Sequence, residues 1–238
     1  MKLKEEAIDY RDGDAELCGL LVWDDSELAR PGVVVVHGGA GLDDHARRRA
    51  REFAELGFLV FACDMYGKAV MGDRERVLSC LQELVADREK LARRAQAGIE
   101  VLNSHPLLDG NIAAVGYCFG GRAALELART GAELAGAISV HGSLETAKPA
   151  SQGEVKAKLL VCHGALDPHV PTTQLTGFID EMNAAGIDFQ LIVYGGAMHG
   201  FTHDVGSQGP GVAYHAASHH RSFQAIKAFL AEIFGTHG

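Results

Sequence analysis

The sequence predicts an α/β protein: a mostly parallel, doubly wound sheet flanked by helices, in a single domain spanning residues 1–238. Three observations carry that expectation. Short apolar runs alternate along the chain with longer helical patterns, as βαβ units require. The run Val33-Val34-Val35-Val36 has no polar alternation, so its strand is expected to be buried on both faces, as at the centre of a parallel sheet. Glycine-rich or polar punctuation follows the strands near residues 36, 117, 140, 163 and 194. In such sheets, ligands bind beyond the carboxyl ends of the strands.

In chain order, Ala7 to Arg11 and Leu17 to Trp23 read as two strands. The turn Asp12-Gly13-Asp14 joins them, since Asp-Gly between apolar runs marks a hairpin. Ser26 to Gly32 is a polar loop before the valine strand. Asp43 to Leu56 is a helix with an acidic start, and Gly57 stops it. Phe58 to Ala62 is a strand that ends at Cys63-Asp64-Met65-Tyr66-Gly67. Asp73 to Asn103 is long and helical, with Gly98 as the expected bend or break. Ile112 to Val115 is a buried strand and Arg122 to Ala128 a helix of good helix formers. Gly136 to Val140 and Leu159 to His163 are strands. Thr172 to Ala185 is a helix, Phe189 to Tyr194 the last strand, and Tyr214 to Phe234 the last helix. The loops Met65 to Gly72 and Thr202 to Gly211 are expected to shape a pocket.

Composition narrows the function classes. Hydrophobic residues make up 47% and charged residues 22%, values of a soluble globular chain. The net charge of −9, with no basic patch, argues against a nucleic-acid or anionic-membrane partner. Arg47-Arg48-Arg49 lies in a helical pattern beside Glu52 and Glu55 and reads as a solvated helix face. The five cysteines are widely spaced and match neither a disulfide framework nor a paired zinc motif. Cys18, Cys63 and Cys162 fall in apolar runs and read as core. No apolar leader opens the chain and no run is long enough to span a bilayer, so a reducing, cytoplasmic location is expected.

The chemistry centres on Gly116-Tyr117-Cys118-Phe119-Gly120-Gly121, placed between a strand and a helix. It has the nucleophile-elbow form with Cys where Ser is more usual. Gly116 and Gly120 allow strand and helix to pack close to a strained turn. The helix N-terminus faces the sulfur and favours the thiolate. The N–H of Phe119 can point at an oxyanion. The bland reading of the hexapeptide is a buried structural cysteine. What outweighs that reading is chain order. Asp167 follows the next-to-last strand and His199 the last, which is the nucleophile, acid, histidine order of α/β-hydrolases. Asp167 before Pro168 could be a turn residue and His199 a loop histidine, but both standing in register with an elbow is not a plausible coincidence.

These motifs, with Asp64-Met65-Tyr66, Gly164-Ala165-Leu166-Asp167-Pro168 and Ala197-Met198-His199-Gly200-Phe201, resemble those of the dienelactone hydrolase family, whose members have the α/β-hydrolase fold. The resemblance runs from about Val33 to Phe234. It implies Cys118, Asp167 and His199 as the catalytic triad, with no cofactor. It also exposes departures. Family members that hydrolyse dienelactone carry a Glu after the first central strand, in contact with the resting Cys, and the matching position here is Gly38. They hold the substrate carboxylate with arginines. One of those positions is His203 here, and Arg74 or Arg76 stands near the other. A neutral ester therefore fits better than an anionic lactone.

His37-Gly38-Gly39 also resembles the His-Gly-Gly loops of esterases, so Gly39, less so Gly38, is expected to join Phe119 in the oxyanion hole. His37, Gly38, Tyr66, His141, Phe201 and His203 are expected around the substrate. His163 and His169 lie near the same edge, but no metal-ligand spacing groups the histidines and no metal is expected. His219-His220 reads as solvent-facing.

The expectation is an esterase or lactonase that works through a Cys118 thioester on a small-molecule ester, with phosphotriester hydrolysis as a secondary activity. Two alternatives stand beside it: a non-catalytic fold that binds a ligand or senses redox state through Cys118, and a metal-dependent hydrolase.

Overall fold

The Asp-Gly turn folds the chain back on itself, with Gly13 at φ +59°, and pairs β1 (Leu3–Asp12) with β2 (Ala15–Asp24) in antiparallel register. Both strands are longer than their apolar centres suggested, because the ladder continues through the polar ends. In the computed structural model, which describes residues 2–70, 72–203 and 209–235, β2 then pairs antiparallel with β4 (Leu59–Cys63). From β4 onward every pairing is parallel. The remaining strands are β3 (Arg30–Val36), β5 (Leu108–Tyr117), β6 (Gly136–Val140), β7 (Lys158–Gly164) and β8 (Phe189–Tyr194). The sheet order is β1-β2-β4-β3-β5-β6-β7-β8. This is the α/β-hydrolase fold.

Strand alternation divides the core. Val34, Val36, Phe61, Ala114 and Val161 face one side, where α2 (Arg74–Ala86), α3 (Arg88–Asn103), α4 (Phe119–Arg129) and α5 (Thr172–Ala185) contribute to the cluster. Val33, Val35, Val60, Val115 and Cys162 face the other, against α1 (Asp44–Glu55) and α6 (Ala216–Phe234). Val33 to Val36 are fully buried, as a two-sided strand requires.

Four expectations are corrected. The long helical pattern breaks at Asp87, not at Gly98: Asp87 is extended and its carboxylate accepts the N–H of Lys90 as the cap of α3. Gly98 stays helical because it lies against β4, where an added Cβ would meet Cys63 Cβ at 2.9 Å. Arg49 is not solvated. It is buried, ion-paired to Glu52, and lies 3.3 Å from His219 on α6. His219 is accordingly half-buried, while His220 is exposed as expected. Cys63 and Cys162 are core residues, but Cys18 is only partly covered because β2 lies next to the sheet's edge.

Helix α4 is the element that fixes the site. It is buried along its length, and its last residue, Arg129, bonds Glu126 at 3.1 Å and Glu181 of α5 at 2.8 Å. Arg88 of α3 pairs with the same Glu126. Three helices are thus tied together over the sheet, and removing one partner of such a buried set typically costs about 3–5 kcal/mol.

Candidate active site

Cys118 sits between β5 and α4 at φ 54° and ψ −116°, a conformation few side chains adopt. The close approach around it requires glycines. A Cβ at Gly116 would lie 1.8 Å from Gly120 O, and one at Gly120 would lie 2.2 Å from Val36 O. The α4 N-terminus is therefore pressed onto β3 and β5, and its unpaired N–H groups face the sulfur.

His199 Nε2 is 3.0 Å from Cys118 Sγ, and His199 Nδ1 is 2.8 Å from Asp167 Oδ2. Asp167 is held in turn, since its Oδ1 accepts the N–H groups of His169 and Val170 at 2.8 and 3.1 Å. The three residues come from the ends of β5, β7 and β8, elements brought to one edge by parallel pairing.

The electrostatics follow from this chain of contacts. Burial alone would raise the Cys118 thiol. The His199 hydrogen bond and charge, joined by the N–H groups of Phe119 and Gly39, outweigh burial and hold it below its ordinary value. Burial opposes the His199 cation, but Asp167 and Cys118 on its two sides push it up to about 10. Asp167, despite its burial, is held low by His199. Both directions favour the thiolate–imidazolium form of the pair over the neutral one. The backbone N–H groups of Gly39 and Phe119 both reach the sulfur.

The other expected pocket residues divide. Gly38 faces the nucleophile: a Cβ there would lie 3.8 Å from Cys118 Cβ and 3.5 Å from His203 Nε2. His203 thus stands beside the position of the family's Glu. His37 is corrected. It is fully buried, its Nδ1 donates to Gly38 O at 2.7 Å and its Nε2 accepts the Met65 N–H at 3.1 Å, so it braces the loop from behind. Tyr66 is also behind the loop, with its hydroxyl donating to Gly39 O at 3.0 Å. Phe201 and His141 are fully buried and cannot line an open pocket, because their rings pack on each other 5.2 Å apart beneath the site. Of the loop 202–211, residues 204–208 lie outside the described residues, as does Met71 of the loop 65–72.

Sequence reasoning missed a cavity of about 480 Å³ that opens beside Gly39, lined by Ala40, Arg74, Val77, Leu78 and Leu81. The size lies within the range of small-molecule sites. Its apolar residues sit on α2, where the sequence offered only a helical period. Arg74 lines this cavity, whereas Arg76 turns away to donate to Ala69 O at 2.8 Å. Larger cavities lie against α3, near Tyr10 and near Arg129, away from the Cys118 edge. Among the described residues no three His, Cys, Asp or Glu side chains are grouped to hold a metal, and no helix is long and apolar enough to cross a membrane.

Comparison with known proteins bears on this geometry. The structure is similar to the crystal structure of a dienelactone hydrolase-like promiscuous phosphotriesterase from metagenomic libraries. That chain is 39% identical, with a TM-score of 0.91, and the match covers 98% of this chain and 100% of that one. An uncharacterized protein of Caenorhabditis elegans is 35% identical over 162 residues, 63% of this chain and 99% of its own. A Yersinia pestis protein named as a candidate carboxymethylenebutenolidase is 27% identical over 222 residues, 87% of this chain and 79% of its own. The family model of the dienelactone hydrolases matches residues 17–234. With that match over most of the chain, and an elbow, acid and histidine assembled at one sheet edge, the chain belongs to the dienelactone hydrolase family and is a hydrolase.

Proposed function

We propose that this hydrolase cleaves neutral carboxylic esters or lactones through a covalent thioester on Cys118. The observation that carries the reading is the continuous chain Sγ–Nε2 at 3.0 Å and Nδ1–Oδ2 at 2.8 Å, with two backbone N–H groups converging on the same sulfur. The Cys118 thiolate attacks the acyl carbon and forms the C–S bond. The carbonyl oxygen takes up negative charge and is stabilised by the N–H groups of Phe119 and Gly39; one such donor is worth about 3–4 kcal/mol. As the tetrahedral intermediate collapses, His199 Nε2–H gives its proton to the leaving alcohol. His199, now neutral, takes a proton from water, whose oxygen attacks the thioester and releases the acid and the thiolate. Asp167 holds the tautomer and stabilises the cation.

The cavity beside Gly39 begins at an oxyanion donor and is walled by Val77, Leu78 and Leu81. It suits an apolar arm of the ester, with Arg74 at hand for a polar end. The test is turnover of p-nitrophenyl butanoate by the wild type and by Cys118→Ala. Loss in the variant, with the fold intact by circular dichroism, supports the reading, and equal turnover overturns it.

The similarity to a promiscuous phosphotriesterase favours a second activity at the same site. A neutral phosphotriester presents its P=O to the same two N–H groups, and the thiolate displaces the aryl alcohol. Multiple turnovers of an aryl phosphotriester are expected. Release of a single equivalent would limit the enzyme to carboxylic esters.

A further inference from the structure

We propose that His141 is a positioning residue for the nucleophile: its imidazole accepts the backbone N–H of Cys118 and so holds the elbow that aims the sulfur. The inference rests on the reading of Cys118 as the nucleophile and extends it to a buried side chain that touches no reacting atom.

Among the described residues, two that are not glycine have positive φ: Cys118 at 54° and His141 at 43°. They are hydrogen-bonded to each other, Cys118 N to His141 Nδ1 at 3.1 Å. Strained backbone persists only where its surroundings over-determine it, and here each strained residue is part of the other's surroundings. The Cys118 N–H also reaches Val140 O at 2.9 Å, and the His141 N–H reaches Cys162 O at 2.8 Å. The left-handed turn at His141 thus continues the sheet's hydrogen bonding while swinging the ring beneath the elbow.

The direction of the chain is fixed by the amide. A backbone N–H can only donate, so Nδ1 accepts and Nε2 carries the ring proton. Nε2–H then donates to Thr202 Oγ1 at 2.8 Å, and the Thr202 hydroxyl donates to His45 Nε2 at 3.3 Å. The chain joins the elbow to α1 and to the segment after β8. Thr202 stands three residues beyond His199, so one brace constrains both partners of the Cys118–His199 contact.

The brace requires a neutral ring, because a proton on Nδ1 would set donor against donor. Among the described residues, those around the ring are His45, Tyr117, His199, Phe201 and His203, together with Thr202, and none of these is a carboxylate. Beyond His45, Arg48 and Arg49 add positive charge. None of these side chains favours a cation on the ring, and a cation there would compete with the one at His199.

The test compares His141→Asn with His141→Gly. Both residues tolerate a left-handed backbone, but only Asn offers an acceptor, near the place of Nδ1. Three quantities are measured: kcat and KM on p-nitrophenyl butanoate, the rate of Cys118 alkylation by iodoacetamide, and Tm. The Gly variant is expected to lose about 30-fold in kcat, with KM changed less than about 3-fold, since small misplacements of a reacting group cost up to about 100-fold. Its alkylation slows about 10-fold, while Asn stays within about 5-fold of wild type on both readings. Equal losses in Asn and Gly, or full activity in Gly, overturn the proposal. If the Gly or Asn variant does not fold, Thr202→Val against Thr202→Ser reads the same brace one link away, with Val impaired and Ser near wild type; equal behaviour of those two overturns it. Alkylation needs only the thiolate, so failure of the ester reading leaves this arm intact and the two failures distinguishable.

Discussion

His199 and His141 lie 5.4 Å apart, ring centre to ring centre, at the same edge of the sheet, yet their surroundings push them in opposite directions. His199 is pushed up to about 10, while burial drives His141 well below the ordinary histidine value. Both rings are largely enclosed, so enclosure does not separate them. What separates them is partner type. His199 touches the Asp167 carboxylate and the Cys118 sulfur, partners whose negative charge stabilises a cation. His141 touches an amide N–H and a hydroxyl, which need one acceptor nitrogen and one donor nitrogen and are content with a neutral ring. On the proposed reading, the same side chain serves as a proton carrier in one place and as a strut in the other.

The most severe way to break the contrast is Asp167→Asn. It keeps the shape but removes the anion behind His199, so the two rings become alike. An about 10³- to 10⁴-fold loss of kcat on p-nitrophenyl butanoate is expected, by analogy with the loss of the acid in other triads. A loss under about tenfold would show that Asp167 does not set the His199 state.

A smaller effect is expected from His199→Ala, read by alkylation rather than turnover. In the wild type the thiolate exists at pH values below the ordinary thiol range, because the Cys118 value is lowered, and its imidazolium partner persists until pH approaches about 10. The alkylation rate should therefore reach its plateau at a lower pH than that of an ordinary thiol. Without His199, burial is no longer outweighed and the thiol value rises. The rate at pH 7 should fall about 10- to 100-fold and climb with pH, because the thiolate fraction drops tenfold for every pH unit that separates a higher thiol value from neutrality. A flat profile in the variant would mean that the helix N-terminus and the Gly39 and Phe119 amides suffice alone.

The mildest test sharpens the contrast by adding an anion. A side chain at Gly38 meets only ordinary contacts, the nearest being His203 Nε2 at 3.5 Å. Gly38→Glu places a carboxylate by the sulfur and the neighbouring imidazoles. A nearby anion disfavours the thiolate, so the Cys118 value should rise and alkylation at pH 7 should slow about threefold to tenfold. An unchanged rate would mean that the added carboxylate turns to solvent.

Much of this was legible in the chain itself. The valine run announced a two-sided strand, because a β-branched run without polar alternation cannot face water. The elbow announced itself through glycines that the close packing of Gly116 and Gly120 requires. The order Cys118, Asp167, His199 was readable because each follows a strand in a chain where strands and helices alternate. Those features are local, or follow from chain order, and local sterics and order survive in a one-dimensional record.

Tertiary structure alone decided the remainder. Several histidines lie near one sheet edge, and nothing in their neighbours along the chain says that His37 and His141 turn inward while His203 stays beside Gly38. The choice depends on partners far away in sequence: Met65 for His37, Cys118 and Thr202 for His141. The helix break at Asp87 depended on its carboxylate capping α3, and Gly98 stayed helical because β4 lies against it. Arg49 looked like a surface charge until α6 covered it. The cavity beside Gly39 is walled by Val77, Leu78 and Leu81 of α2, for which the sequence offered only a helical pattern. The sequence by itself determined the fold class and the strand ends at which Cys118, Asp167 and His199 fall, since backbone sterics and hydrophobic period act over a few residues. Only the tertiary structure decided which histidine is pushed toward the charged form and which away from it, because a titration is set by the nearest partners in space.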